Sequence, residues 1–180
     1  MTRKINASLF MSLDGVVESP DKWSMSYWSD SLGEVVGASM GSATAMLLGR
    51  VTYEGFAGYW PGKTTEDDEA ADFMNNSRKY VASTTLKSAD WNNSVLLEGD
   101  LADSIAALKA EDGGDIGMSG SPTLVRSLLA LGLLDELHLI VYPIVVGSGK
   151  KLFGDDSYEL TLKESKALDK GVLHLVYAPA

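Results

Sequence analysis

Three short stretches rich in glycine and hydroxyl side chains have the residue types that bind phosphate. They are Gly49-Arg50-Val51-Thr52, Ser83-Thr84-Thr85 and Ser119-Gly120-Ser121-Pro122-Thr123. Each follows a short apolar run, and the free N–H groups at a helix start favour an anion. Glycine allows the backbone to approach a ligand, and Arg50 adds a planar cation. The alternative is that Gly49 only ends a strand and that Arg50 is solvated.

Several carboxylates are candidates for moving or orienting a proton. Asp14-Gly15 follows the first apolar segment, where a plain Asp-Gly turn is the alternative. Asp30 and Glu34 lie one turn apart on one face of a predicted helix. The alternative is that both are ordinary exposed helix charges, with Asp30 serving as a cap. Trp60 is a candidate for the wall of a substrate pocket, with simple packing as the alternative.

Other kinds of reactive site are not indicated. The chain has no cysteine and two histidines, so it predicts no disulfide, no thiolate chemistry and no metal centre. His138 and His174 fall within apparent strands, which favours a structural role. Gly147-Ser148-Gly149-Lys150 is not a P-loop, because Ile144 and Lys151 stand where that motif needs Gly and Ser or Thr.

The bulk properties are those of one folded domain over residues 1–180. A net charge of −10 argues against nucleic acid as a partner. Polar residues interrupt the first apolar stretch, so we expect a first strand of a cytoplasmic protein rather than a signal peptide. No run approaches the roughly 20 apolar residues of a spanning helix, so no membrane partner is expected.

The elements that must position these residues alternate between strand and helix. Short apolar runs predict strands, and apolar residues at helical spacing predict the helices between them. The predicted strands cover 4–11, 44–48, 79–83, 95–97, 116–118 and 137–146, and the predicted helices cover 30–43, a short segment from 51, 66–77, 100–113 and 122–131. Two further strands flank Asp169-Lys170-Gly171 as a hairpin. The pattern predicts an α/β sheet with antiparallel C-terminal strands.

Two local features lead to specific expectations. Ser121 has the residue type of an N-cap, and Pro122 stands at the preferred first helical position. Pro143 predicts a bulge or an edge within the run Leu137–Val146. That apolar run is consistent either with a homodimer face or with a core strand.

Five motifs, taken in order, resemble the dihydrofolate reductase superfamily, and within it the small stand-alone relatives of the riboflavin-biosynthesis reductase C-terminal domain. The residues that carry the resemblance are 12–15, 48–54, 119–124, 132–137 and 143–153. The resemblance implies a three-layer αβα fold around a mixed, mostly parallel sheet of about eight strands, with an antiparallel C-terminal hairpin. It also implies NADPH as the cofactor.

The same resemblance assigns roles to the residues. Gly49, Arg50, Val51 and Thr52 correspond to the loop at the adenosine-side phosphates, and Ser83-Thr84 to the hydroxyl pair beside the 2′-phosphate. Gly120, Ser121, Pro122 and Thr123 are similar to the turn under the pyrophosphate. Asp14-Gly15 corresponds to the segment that covers the nicotinamide.

The expected activity is hydride transfer from NADPH to a C=N or C=O bond of a pterin-like or pyrimidine-like heterocycle. The riboflavin-pathway substrate itself is in doubt, because 58–62 and Met118-Ser119 replace that family's substrate-binding segments. A non-catalytic nucleotide-binding or assembly protein on the same fold is the alternative, and a true dihydrofolate reductase is a third reading. A homodimer is expected.

Overall fold

The computed structural model describes residues 2–180, which form one eight-stranded sheet with helices on both faces. The strands are β1 (Ile5–Ser12), β2 (Ala43–Gly49), β3 (Arg78–Ala82), β4 (Ser94–Leu96), β5 (Asp115–Ser119), β6 (Glu136–Tyr142), β7 (Leu160–Ala167) and β8 (Leu173–Pro179). The helices are α1 (Asp30–Ser42), α2 (Arg50–Tyr59), α3 (Ala71–Asn76), α4 (Leu101–Ala110) and α5 (Pro122–Ala130). Three single-turn 3₁₀ helices cover Pro20–Lys22, Met25–Tyr27 and Asp169–Gly171.

The strand order is β4-β3-β2-β5-β1-β6-β8-β7. The first six strands of this order are parallel, and β8 and β7 complete the sheet as an antiparallel hairpin. This is the dihydrofolate reductase-like α/β fold, so the predicted fold class is confirmed. Within residues 2–180, no helix is both long and apolar enough to cross a bilayer.

The alternation of side chains along β1 divides the core between the two faces of the sheet. Ile5, Ala7 and Leu9 pack on one face in the cluster that contains the buried residues of α4 and α5. Phe10 points to the other face, where it joins Leu32 of α1. This period of two is the expected consequence of a strand buried on both sides.

Three predicted boundaries were wrong. Helix α3 begins at Ala71 rather than at Glu66, because the Asp67 and Asp68 side chains bind nearby backbone N–H groups and form turns. Helix α4 ends at Ala110, ahead of Gly113, and the Lys109 carbonyl accepts from Arg3 N–H. Strand β6 stops at Tyr142, because Pro143 has no N–H to continue the ladder.

The run Leu137–Val146 is a core strand over its first part. Strand β6 lies between β1 and β8, and Leu137, Ile140 and Tyr142 are fully buried within the chain. Val145, beyond the strand, is 68% exposed. The homodimer remains a prediction, and this strand is not the surface that would form it.

Candidate functional site

The three predicted phosphate-binding turns follow adjacent parallel strands. The turn at Gly49 follows β2, that at Ser83 follows β3, and that at Gly120 follows β5. These strands are neighbours in the order β3-β2-β5, and Gly49 is in register with Ala82. Because parallel strands end at the same edge, the three turns lie along one rim, which is the usual ligand position in such sheets.

Hydrogen bonds join the turns after β2 and β5. The Gly49 N–H donates to Ser121 Oγ at 2.9 Å, and the Ser121 N–H donates to Thr52 Oγ1 at 3.0 Å. The Ser121 hydroxyl also donates to Thr52 Oγ1 at 2.9 Å. The two turns therefore form one connected surface, in which Gly49 packs directly against the Ser121 side chain.

Ser121 occupies the N-cap position of α5 without capping the helix. Gly120 and Ser121 both have positive φ, of 75° and 56° respectively, and the Ser121 side chain makes no cap bond. Ser121 is therefore the N-cap residue, as predicted, but its hydroxyl binds the β2 turn instead of the first turn of its own helix. Pro122 is the first helical residue, as expected.

Helices α2 and α5 both begin at the rim without a side-chain cap. By contrast, Ser29 caps α1 and Asp100 caps α4 through backbone N–H groups of the first turn. The first-turn N–H groups of α2 and α5 therefore remain available to an anion. Helix α3 also lacks a side-chain cap, but it does not begin at this rim.

Arg50 lies at the start of α2 and is exposed. Its guanidinium donates to Glu54 Oε2 at 2.8 Å, one turn along the helix. An ion pair between exposed groups is weak, so a ligand phosphate can compete for Arg50. Val51 is 71% exposed beside it.

The β3 turn contributes hydroxyl groups at the same rim. The Ser83 Oγ accepts from the N–H groups of Thr85 and Leu86, and Thr84 is exposed. No described hydrogen bond joins this turn to the other two.

Lys150 is a cation at the rim that sequence reasoning missed. Its ammonium donates to Thr123 Oγ1 at 2.7 Å, in the first turn of α5. The glycine-containing segment 147–150 could have indicated this cation. Sequence reasoning compared the segment only with the P-loop motif, which it does not match. A long-range pairing places Lys150 here, because its backbone N–H donates to Glu18 Oε2 at 2.9 Å.

Asp14 joins the loops that follow β1 and β6. Its carboxylate accepts from the Ser12 hydroxyl at 2.7 Å and from the N–H groups of Val146 and Gly147 at 3.0 and 2.9 Å. These bonds, that of Ser12 above all, lower the pKa of Asp14 to about 2. The carboxylate is therefore ionised near neutral pH. Gly15 follows with a φ of +86°.

Asp30 and Glu34 are exposed on α1, and Asp30 is its first residue rather than its cap. Neither carboxylate makes a described hydrogen bond, so their role as proton donors stays a prediction. Trp60 lies at the end of α2, a 10-residue helix that begins at the rim. Its side chain is partly buried against the cluster of Met46, Leu48 and Tyr53. The role of Trp60 in a substrate pocket stays a prediction.

Tyr142, which the sequence reasoning did not single out, is fully buried at the end of β6. It is in register with Ser12, whose hydroxyl binds Asp14. Burial raises the pKa of Tyr142 to about 12, and the Ser24 side chain opposes this shift in part. The side chain therefore remains a neutral phenol at physiological pH.

Comparison with known families identifies the family of this chain. The family described as the RibD C-terminal domain matches residues 3–174. The chain belongs to the RibD C-terminal domain family. The chain is 27% identical over 186 residues to the protein YyaP of Bacillus subtilis (strain 168). That match covers 97% of this chain and 94% of YyaP.

Solved structures share the family fold. The putative riboflavin biosynthesis protein from Shewanella sp. PV-4 superimposes with a TM-score of 0.77 at 22% identity, covering 100% of this chain and 99% of that one. Dihydrofolate reductase from Enterococcus faecalis, complexed with NADP(H), gives a TM-score of 0.62 at 13% identity, covering 99% of each chain. At these identities the likeness establishes the fold.

Proposed function

We propose that this protein is an NADPH-dependent reductase that transfers a hydride to a C=N or C=O bond of a small pterin-like or pyrimidine-like heterocycle. The observation that carries the proposal is the joined rim, where α2 and α5 both start uncapped beside Arg50. Membership of a family named for a riboflavin-biosynthesis protein supports a reductase. The fold shared with an NADP(H)-bound dihydrofolate reductase supports the choice of cofactor.

The residues present fit a dinucleotide with an extra phosphate. Two sets of free first-turn N–H groups suit the pyrophosphate, and Arg50 with Ser83 and Thr84 suits the 2′-phosphate. When bound, the cofactor would supply the hydride at its nicotinamide ring. The protein's contribution is to hold the two reactants in line and to exclude water.

Asp14 has a positioning role in this proposal. A carboxyl with a pKa of about 2 holds almost no proton at pH 7, so it is a poor general acid. Its three hydrogen bonds instead fix the loop that corresponds to the cover of the nicotinamide.

Replacing Arg50 tests the cofactor assignment. We expect Arg50→Ala to weaken NADPH binding about tenfold or more while leaving NADH nearly unchanged, because charge-assisted hydrogen bonds contribute about 1.5–3 kcal/mol. Fluorescence titration of both nucleotides measures the ratio. Glu54→Gln is the matched variant, since it frees Arg50 from its ion pair and should tighten NADPH binding. An NADPH/NADH affinity ratio that Arg50→Ala leaves unchanged would show the assignment to be wrong.

The second candidate is a nucleotide-binding or assembly protein without turnover, favoured by the replaced substrate segments at 58–62 and 118–119. Mixing NADPH with pterins, pyrimidines and flavins while following cofactor absorbance separates the two proposals. Binding without oxidation of NADPH would favour the second. A panel with dihydrofolate and methotrexate tests the dihydrofolate reductase reading in the same assay.

A further inference from the structure

Lys150 places a positive charge beside the first turn of α5. Its ammonium donates to Thr123 Oγ1 at 2.7 Å, and Thr123 is the second residue of that helix. Lys150 is exposed, and within residues 2–180 its ammonium makes no ion pair with a carboxylate. Arg50, at the start of α2, is by contrast paired with Glu54. The charge of Lys150 is therefore available to a ligand.

This position of a cation is unfavourable for the helix by itself. The start of a helix carries about half a positive charge, so a cation there lowers stability where an anion would raise it. Asp14 and Glu18, the carboxylates of the loop that pairs with this segment, accept hydrogen bonds from its backbone N–H groups instead. An anion between the helix start and the Lys150 ammonium would turn the repulsion into attraction.

A short antiparallel pairing fixes the backbone of Lys150. Val16 and Lys151 form an isolated bridge between the loops after β1 and β6, and the Val17 N–H donates to the Lys150 carbonyl at 2.9 Å. The Lys150 N–H donates to Glu18 Oε2, also at 2.9 Å. Because both backbone groups are held, a ligand meets a cation that needs little ordering on binding.

The glycines of segment 147–150 make this pairing possible. Gly149 has a φ of +119°, and a Cβ at this position would lie 2.9 Å from Val16 Cγ1. Gly147 has a φ of +82°, and its N–H donates to Asp14 Oδ2 at 2.9 Å. The glycines therefore let the segment pack against the loop after β1, which brings Lys150 to the rim.

Lys150 and Arg50 approach the Gly120 turn from opposite sides. The central strands follow the order β2-β5-β1-β6, and the Gly120 turn follows β5. Arg50 follows β2, whereas Lys150 comes after β6 and reaches across to α5. A ligand that lies along the rim with phosphates at two places can use both cations. NADPH is such a ligand, with a 2′-phosphate on its adenosine half and a diphosphate at its centre.

We propose that Lys150 binds the diphosphate of the cofactor, at the phosphate next to the nicotinamide ribose. The ammonium donates to a phosphate oxygen from the β6 side, beside the free N–H groups at the start of α5. Arg50 contacts the 2′-phosphate from the β2 side. This inference rests on the proposed reductase function, and it names the residue that distinguishes the whole dinucleotide from its adenosine half.

Binding of two ligands to the full-length protein tests this assignment. NADPH carries both halves, whereas 2′,5′-ADP carries only the adenosine half with its two phosphates. We expect Lys150→Met to weaken NADPH about tenfold, as for the loss of one charge-assisted hydrogen bond, and to change 2′,5′-ADP by less than about twofold. Arg50→Ala should weaken both ligands. Fluorescence titration measures NADPH, and calorimetry measures 2′,5′-ADP.

Lys151→Met is the matched control for charge. It removes one positive charge from the neighbouring residue, and successive side chains along a paired segment point to opposite sides. We therefore expect Lys151→Met to leave the affinity for NADPH within about twofold of that of the wild type. An equal loss in both variants would show that only the overall field of the rim matters.

Phosphorus NMR of bound NADP⁺ separates a phosphate contact from a structural role. The 2′-phosphate and the diphosphate give separate signals, so Lys150→Met should shift the diphosphate signals and Arg50→Ala the 2′-phosphate signal. Lys150→Met should also keep or raise the Tm of the protein without ligand, because the cation opposes the start of α5. A purely structural Lys150 predicts a lower Tm and unshifted phosphate signals.

The outcomes distinguish this inference from the proposed function. If NADPH binds with the expected dependence on Arg50 but Lys150→Met behaves like Lys151→Met, the Lys150 assignment is overturned and the reductase proposal stands. A loss of 2′,5′-ADP affinity as large as that of NADPH also overturns it. If NADPH itself does not bind, the proposed function fails, and this inference fails with it.

Discussion

At the scale of single residues, the Asp14 carboxylate links the loop after β1 to the loop after β6. Three hydrogen bonds favour its ionised form, and they come from both loops that it joins. The same bonds keep the carboxylate ionised at neutral pH, so Asp14 holds no proton that it could donate. In the proposed reaction, the proton must therefore reach the substrate from another group or from water.

The two histidines form a pair whose hydrogen bond depends on pH. His138 Nδ1 lies 3.2 Å from His174 Nε2, and a bond between them needs at least one ring to be neutral. Burial is the main cause that lowers the pKa of His174, followed by the charge of His138, while Glu164 opposes the shift and Lys166 adds to it. Glu136 binds the other nitrogen of His138 at 3.2 Å.

We expect the free energy of unfolding to fall as the pH drops below about 6.5, the ordinary pKa of histidine. Between the lowered pKa of His174 and 6.5, the unfolded chain binds a proton that the folded chain does not, so stability rises with pH across this window. His174→Phe should flatten the dependence between pH 5 and 7. Urea unfolding at several pH values measures it. Wild-type stability that is equal at pH 5 and 7 would contradict the assignment.

At the scale of elements, the connected turns after β2 and β5 should unfold as one unit. Thr52→Val and Ser121→Ala each leave a backbone N–H without its acceptor, at a cost of about 1–2 kcal/mol. The double variant should cost less than the sum, because the bond between the Ser121 and Thr52 hydroxyls is lost in both single variants. Urea unfolding measures the cycle, with Ser127→Ala as control, because the half-buried Ser127 hydroxyl binds only the Thr123 carbonyl of its own helix. Strict additivity would mean that the turns are independent.

The contrast between Ser29 and Ser121 shows what local sequence can predict. Ser29 caps α1 and Asp100 caps α4, because an N-cap depends only on residues within one helical turn. Ser121 has the same residue type, but its hydroxyl binds residues 69 and 72 positions away. Such a contact depends on which strands become neighbours, and no local pattern encodes it.

The candidate site likewise contains residues that local sequence predicts and residues that only long-range contacts bring into place. The sequence predicted the rim turns from glycine, hydroxyl and arginine residues that follow apolar runs. It did not predict Lys150 or Tyr142, because a distant segment brings Lys150 to Thr123, and Tyr142 looks like one more apolar residue of a strand. In both cases the missing information is tertiary.

At the scale of the whole molecule, the charge opposes an anionic ligand. The chain carries a net charge of −10, and at 10 mM salt the screening length is about 30 Å, so most of that charge repels NADPH. At 100 mM salt the length is about 10 Å, which leaves mainly the groups near the rim. We expect the association rate of NADPH to rise between these concentrations, as stopped-flow fluorescence would measure. A falling rate would show that Arg50 and Lys150 dominate the field.

Strand β1 lies between β5 and β6 in the sheet, and this position affects how the chain folds during its synthesis. Ile5 pairs with Ile116 of β5, and its N–H donates to Asp135, 130 residues further along the chain. During synthesis, β1 must therefore stay unpaired until β5 and β6 have left the ribosome. Folding of such distant pairings is slow, so this segment is where a chaperone would be needed most during translation.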